Sequence, residues 1–124
     1  MEYRNNKIKN FTDINTWKEG HKLVLGVYEA LKAFPKEEKY ALSDQMRRCA
    51  VSITSNIAEG FSRQGKKEKL QFYYMSKGSL TELQNQLLIA RDVGYLNSNT
   101  FKKLADQTVV VGKLLSGLIR STRK

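Results

Sequence analysis

Only one proline, Pro35, occurs in the 124 residues of this chain, and apolar residues on both sides of it recur at alternating three- and four-residue steps. Proline interrupts helices, and strands would show a two-residue alternation instead. A chain with one such interruption and a sustained helical period is built for long helices. The other breakers gather at a few places and divide the sequence into four amphipathic segments.

The first helix is predicted from about Asn15 to Ala33, with Trp17, His21, Val24, Tyr28 and Leu31 on one stripe. Phe34-Pro35 stops it, because proline disfavours helical geometry in the residue before it. The second is predicted from Asp44 to about Glu59, capped by Ser43 and stopped by Gly60, with Met46, Ala50, Ile53 and Ile57 facing the core. The third follows the breaker-rich stretch from Gly60 to Gly65 and ends near Val93 at Gly94. Its stripe is Tyr73, Ser76, Leu80, Leu83, Leu87 and Ala90, the pattern of a bundle seam. Gly78 costs this helix about 1 kcal/mol relative to alanine, which marks either a close backbone contact or a tolerated drift. Ser98 or Asn99 caps a fourth helix to about Ser121, with Phe101, Leu104, Thr108, Val111, Leu115 and Leu118 inward. Short connections force neighbours to run antiparallel, so the expected fold is all-α: an antiparallel up-down-up-down four-helix bundle over residues 11–121. A polar arm (1–10) precedes it and a basic tail (122–124) follows.

Charge narrows the function. Lys and Arg outnumber Asp and Glu by 22 to 12, a net charge of +10 that favours polyanionic partners through counterion release. One cysteine, Cys49, and one histidine, His21, exclude an intramolecular disulfide and a tetrahedral zinc site within a protomer. No Glu-x-x-His pair, no arginine four to six residues before the histidine and no phosphate-cradling glycine motif occurs, so neither catalysis nor a cofactor is expected. His21 on the apolar stripe and Cys49 beside the core read as packed residues. No run approaches the roughly 20 apolar residues that span a bilayer. The expectation is a cytoplasmic protein without membrane contact.

Candidate nucleic-acid contacts are Arg63, Lys66, Lys67 and Lys69 around the second turn, joined by Arg120, Arg123 and Lys124 if the bundle brings the chain end alongside. Arg47, Lys102 and Lys103 are further contributors. The alternative is an ordinary solvated surface. Phe61, Phe72, Tyr73 and Tyr74 lie near this turn, Tyr74 being the ring most suited to stack on a base and Phe72 and Tyr73 reading as core. A second constellation lies on helix two, where Arg48, Ser52, Ser55 and Glu59 step by four, three and four with Asn56 alongside. This ribbon is either a recognition and assembly surface or a hydrogen-bonded layer that fixes helix register. Val51, Ser55 and Ala58 make a small, weakly polar stripe away from the core, which with Gly78 suits a second packing face and hence self-association.

Several segments resemble a known family. They are Phe11-Thr12-Asp13-Ile14-Asn15-Thr16-Trp17, Phe34-Pro35-Lys36-Glu37-Glu38-Lys39-Tyr40-Ala41-Leu42, Gln45-Met46-Arg47-Arg48-Cys49-Ala50-Val51-Ser52-Ile53, Ser55-Asn56-Ile57-Ala58-Glu59-Gly60, and Gly78-Ser79-Leu80-Thr81-Glu82-Leu83-Gln84-Asn85-Gln86-Leu87. In order and spacing they are similar to the four-helix-bundle proteins encoded within intervening sequences of bacterial 23S ribosomal RNA genes. The resemblance implies a homo-oligomer, a pentamer. It extends distantly to the accessory variability proteins of diversity-generating retroelements, which bind nucleic acid and a reverse transcriptase. The combined expectation is a non-catalytic, homo-oligomeric accessory protein that contacts RNA or DNA phosphates. The alternative is a scaffold that organises a protein partner, such as a reverse transcriptase, without touching nucleic acid.

Overall fold

Helix periodicity and short connections together produce the architecture of the computed structural model, which describes residues 7–124. Four helices follow one another: α1 (Asn15–Leu31), α2 (Leu42–Ser62), α3 (Lys66–Asp92) and α4 (Ser98–Arg123). Single 3-10 turns, Phe11–Asp13 and Lys36–Glu38, precede α1 and link it to α2. Each helix packs on its neighbours in sequence, and α1 packs on α4, which closes an all-α, up-down-up-down bundle. The antiparallel sense is visible in the cross-helix bonds. Ser76 Oγ donates to the Ile53 carbonyl and Cys49 Sγ to the Ser79 carbonyl, so α3 rises as α2 descends. Among the described residues, no helix is long and apolar enough to cross a membrane. The first six residues of the polar arm expected over 1–10 lie outside the described residues.

The core stripes predicted for α2 and α3 are all buried: Met46, Ala50, Ile53 and Ile57 on one, Tyr73, Ser76, Leu80, Leu83, Leu87 and Ala90 on the other. Fully burying a side chain such as Leu83 or Ile53 contributes about 1.5–3 kcal/mol over leaving it exposed. In α4, Leu104, Thr108, Val111 and Leu115 are buried as expected, with Ile119 rather than Leu118 completing the stripe. The α1 stripe differs from the expected one. Thr16, Gly20, Leu23, Val24, Val27 and Leu31 face inward, while His21 is exposed and Tyr28 is 44% exposed. Gly20 is what permits this rotation, because a Cβ there would stand 3.0 Å from Thr54 Cγ2 on α2. The aromatic residues cover the margin instead: Trp17 meets Phe11 edge-on at 5.4 Å and stacks on His21 at 4.7 Å.

Helix ends also depart from the simplest reading. Gly60 is not a stop. It lies inside α2, where a Cβ would come 2.6 Å from a Tyr73 ring carbon. Ser43 is buried within the first turn of α2, and the Leu42 amide donates to Glu38 Oε1 at 3.1 Å from the preceding turn. Asn97, one residue before the expected caps of α4, accepts from the Thr100 amide at 2.8 Å. That helix continues to Arg123, past the expected end near Ser121. Gly94 ends α3 as expected, with φ +87°. The Tyr95 amide bonds back to the Ala90 carbonyl and the Gly94 amide to that of Arg91, which makes a Schellman motif. Gly78 makes no close contact: a Cβ there would meet nothing within 4 Å.

Candidate nucleic-acid interface

The antiparallel order brings the α2–α3 turn and the last turn of α4 to one end of the bundle, where Lys66 Nζ donates to the Arg123 carbonyl at 3.4 Å. Not every cation at this end is free. Lys69 donates to the carbonyls of Phe61 at 2.8 Å and Gly60 at 3.4 Å, the latter shared with the Arg63 amide, so it supports the last carbonyls of α2. Arg63 lies 3.8 Å from the Glu59 carboxylate, and its guanidinium sits 4.8 Å from the centre of the Phe72 ring. Lys67, Arg120 and Lys124 extend into solvent. Arg123 sits over the Tyr74 ring at 5.6 Å and donates to its hydroxyl.

Arg47, Lys102 and Lys103 belong to the opposite end, since Arg47 lies early in α2 and the two lysines early in α4. Arg47 pairs with Asp44 at 3.6 Å and Lys102 with Asp106 at 3.0 Å. Lys103 lines a cleft between α1 and α4 together with Glu29 and Tyr95. The ten expected contacts therefore do not make one surface; only those of the α2–α3 turn and the end of α4 come together.

That set continues into a groove the sequence reading passed over. Lys77 on α3 and Lys113 and Arg120 on α4 line a channel of about 610 Å³ between the two helices, with Thr81, Gln84 and Ser116 as neutral hydrogen-bonding neighbours. Among the described residues, no carboxylate lines it. Gly112 keeps it open, since a Cβ there would already touch Leu80 at 3.4 Å. The signal in the sequence is the spacing Tyr74, Lys77, Thr81, Gln84 on α3 opposite Lys113, Ser116, Arg120, Arg123 on α4, which becomes one seam only when the helices are known to pair.

The helix-two ribbon divides. Ser52 Oγ bonds Ser79 Oγ at 2.9 Å across to α3, and Asn56 Nδ2 donates to the Ser52 carbonyl and hydroxyl at 2.9 and 3.1 Å. These residues fix the register of α2 on α3; Ser79 is the partner the sequence did not reveal. Arg48 and Glu59 point outward and pair along the helix, with Asp44 at 3.0 Å and Arg63. Val51 and Ser55 are exposed and Ala58 is half-buried. Behind the ribbon, burial first and the Glu82 carboxylate second push the Cys49 thiol up to about 12, far from the range of a reactive thiolate. Among the described residues, no three His, Cys, Asp or Glu side chains come together as a metal site would require.

Among curated proteins, none matches this sequence. A solved structure does: the crystal structure of a protein of unknown function from the S23 ribosomal protein family of Bacteroides thetaiotaomicron superposes with a TM-score of 0.78. The similarity spans 85% of this chain and 95% of that one at 18% sequence identity, a level that speaks for the fold alone. The family described as 23S rRNA-intervening sequence protein matches residues 12–117, from the turn before α1 almost to the end of α4. With the bundle, its connections and that match in agreement, the chain belongs to the 23S rRNA-intervening sequence protein family.

Proposed function

We propose that this protein is a non-catalytic, self-associating accessory protein of the cytoplasm that binds nucleic acid through its phosphates. The observation that carries the reading is the α3/α4 groove, where Lys77, Lys113 and Arg120 converge without a carboxylate and run on to Arg123 and Lys66 at the end of the bundle. Closely spaced unpaired cations on a chain of net charge +10 attract a polyanion by releasing its condensed counterions. Neutral hydroxyl and amide groups beside them can donate to phosphate oxygens but carry no base code, so weak sequence preference is expected. RNA is the first probe to use, because the family's description refers to 23S rRNA.

Replacing Lys67, Lys113 and Arg120 by Gln tests this, because none of the three holds a helix end as Lys69 does. The parent protein should bind RNA with an affinity that falls steeply with salt, with a logarithmic slope of about 0.7–0.9 per contacted phosphate. The triple variant should bind all sequences more weakly and flatten that slope. Undiminished binding by the variant across the salt series removes the groove from consideration, and a parent that fails to bind near physiological salt overturns the reading.

A scaffold role is the second reading, favoured by exposed apolar residues away from the groove: Val51 on α2 and Met75 and Ile89 on α3. In both readings we place self-association on the outer face of α2, at Val51, Ser55 and Ala58, with a pentamer as the state the family resemblance implies. A ring of subunits would repeat the cationic groove around its circumference and multiply weak phosphate contacts.

A further inference from the structure

Three features of different chemistry lie in line along the α3/α4 seam. At one end Tyr74 is 41% exposed, and Arg123 donates to its hydroxyl, with the guanidinium 5.6 Å from the ring centre. In the middle is the groove of Lys77, Lys113 and Arg120. At the other end Leu88, Phe101 and Val109 line an apolar hollow of about 190 Å³ that shares Gln84 and Thr108 with the groove. The Arg91 guanidinium stands 4.7 Å from the centre of the Phe101 ring. An aromatic residue beside an arginine thus sits at each end of a cationic channel. From Tyr74 to Leu88, α3 advances about 21 Å, the length of roughly six nucleotides at the stacked rise of 3.4 Å.

A duplex uses only part of this furrow. Its phosphates could meet the three cations, but its base faces are stacked inside, so neither the Tyr74 ring nor the apolar hollow has anything to bind. A single strand can use all of it, with its backbone on the cations and its bases on the aromatic and apolar surfaces, the combination found in proteins that hold unpaired strands. An acidic peptide would satisfy the lysines and leave the hollow unused. We infer that the α3/α4 furrow is a track for single-stranded nucleic acid, with phosphates on Lys77, Lys113 and Arg120, one base on the exposed ring of Tyr74 and another in the Leu88–Phe101–Val109 hollow. This rests on the nucleic-acid reading of the same groove and adds the strand state.

Fluorescence anisotropy of the full chain tests it with three probes: a labelled single strand of about twelve nucleotides, within the span such sites cover, the duplex formed from it, and a poly-glutamate peptide. The single strand binds tightest. Tyr74→Ala weakens it about tenfold, the loss of one stacked base, leaves the salt slope unchanged and does not alter duplex binding. Tyr74→Phe keeps the ring without the hydroxyl bond to Arg123 and binds as the parent does; Leu88→Gln weakens the single strand alone. Thermal melting confirms that each variant is folded. Equal or tighter duplex binding, an equal loss in Tyr74→Ala and Tyr74→Phe, or displacement of the strand by the peptide overturns the track. If duplex binding persists and responds to Lys67, Lys113 and Arg120, the basic interface stands and only the strand assignment falls; if no nucleic acid binds, both fall.

Discussion

At Gly60 on α2 the Tyr73 ring of α3 occupies the space a side chain would take. Gly60→Ala should therefore destabilise the protein by about 1–3 kcal/mol despite alanine's better helix propensity, because the buried ring has to shift within a packed core. Chemical denaturation measures this; an unchanged or stabilised variant would show that Tyr73 moves freely. Glycine spacing in the sequence reads equally well as a helix stop, and only the position of Tyr73 separates the two. Cys49 yields a prediction in pH. Its thiol has an ordinary value of 9.0 and is raised to about 12 by burial and Glu82, so the unfolded chain releases its proton first. The resulting stability is fully present below pH 9 and is lost as pH climbs toward 12. Tyr73 and Tyr95 are shifted upward too and add to the same alkaline loss. Cys49→Ala should make the decline between pH 9 and 12 shallower, and the native thiol should resist alkylation at pH 8 until the protein is denatured.

Among the elements, α2 and α3 were legible from spacing because their inward apolar residues keep the three-four step over several turns, while the outward ones, Val51 on α2 and Met75, Leu88 and Ile89 on α3, are too scattered to sustain a rival stripe. In α1, two registers compete: Trp17, His21 and Tyr28 keep the helical step as well as Gly20, Leu23 and Val27 do. Size decides between them, since the bulky rings fit the margin and Gly20 fits against Thr54. The caps were less legible, because the residue that satisfies the first amide of α2 is Glu38, which belongs to the preceding turn. Asn97 caps α4 by a local bond to Thr100. Asn97→Ala should cost about 1 kcal/mol and Asn97→Asp should retain most of the stability. Thermal melting of the pair distinguishes a cap from a residue that is merely tolerated there.

At the scale of the molecule, the basic turn and the chain end could be joined from topology alone, and their union is visible in Lys66 and Arg123. The groove beyond them was not legible, because Lys77 and Lys113 are isolated cations in sequence and meet only across a helix pair. Outer-face assembly is tested by Ala58→Arg, which should lower the mass found by light scattering while leaving helix content intact; an unmodified protein that is monomeric at micromolar concentration rejects it. The bond from Gln107 to Glu19 joins residues 88 apart in the chain, whereas every other pairing among the four α-helices joins neighbours in sequence. Three of the four pairings are hairpins that can form early, but the α1–α4 seam must close a loop of almost the whole bundle, and loop entropy makes that step the last. The same seam should be the first to part. A transient opening there would swing α1 away from α4 while α2 and α3 stay zipped, and hydrogen exchange would show α1 as the least protected helix of the bundle.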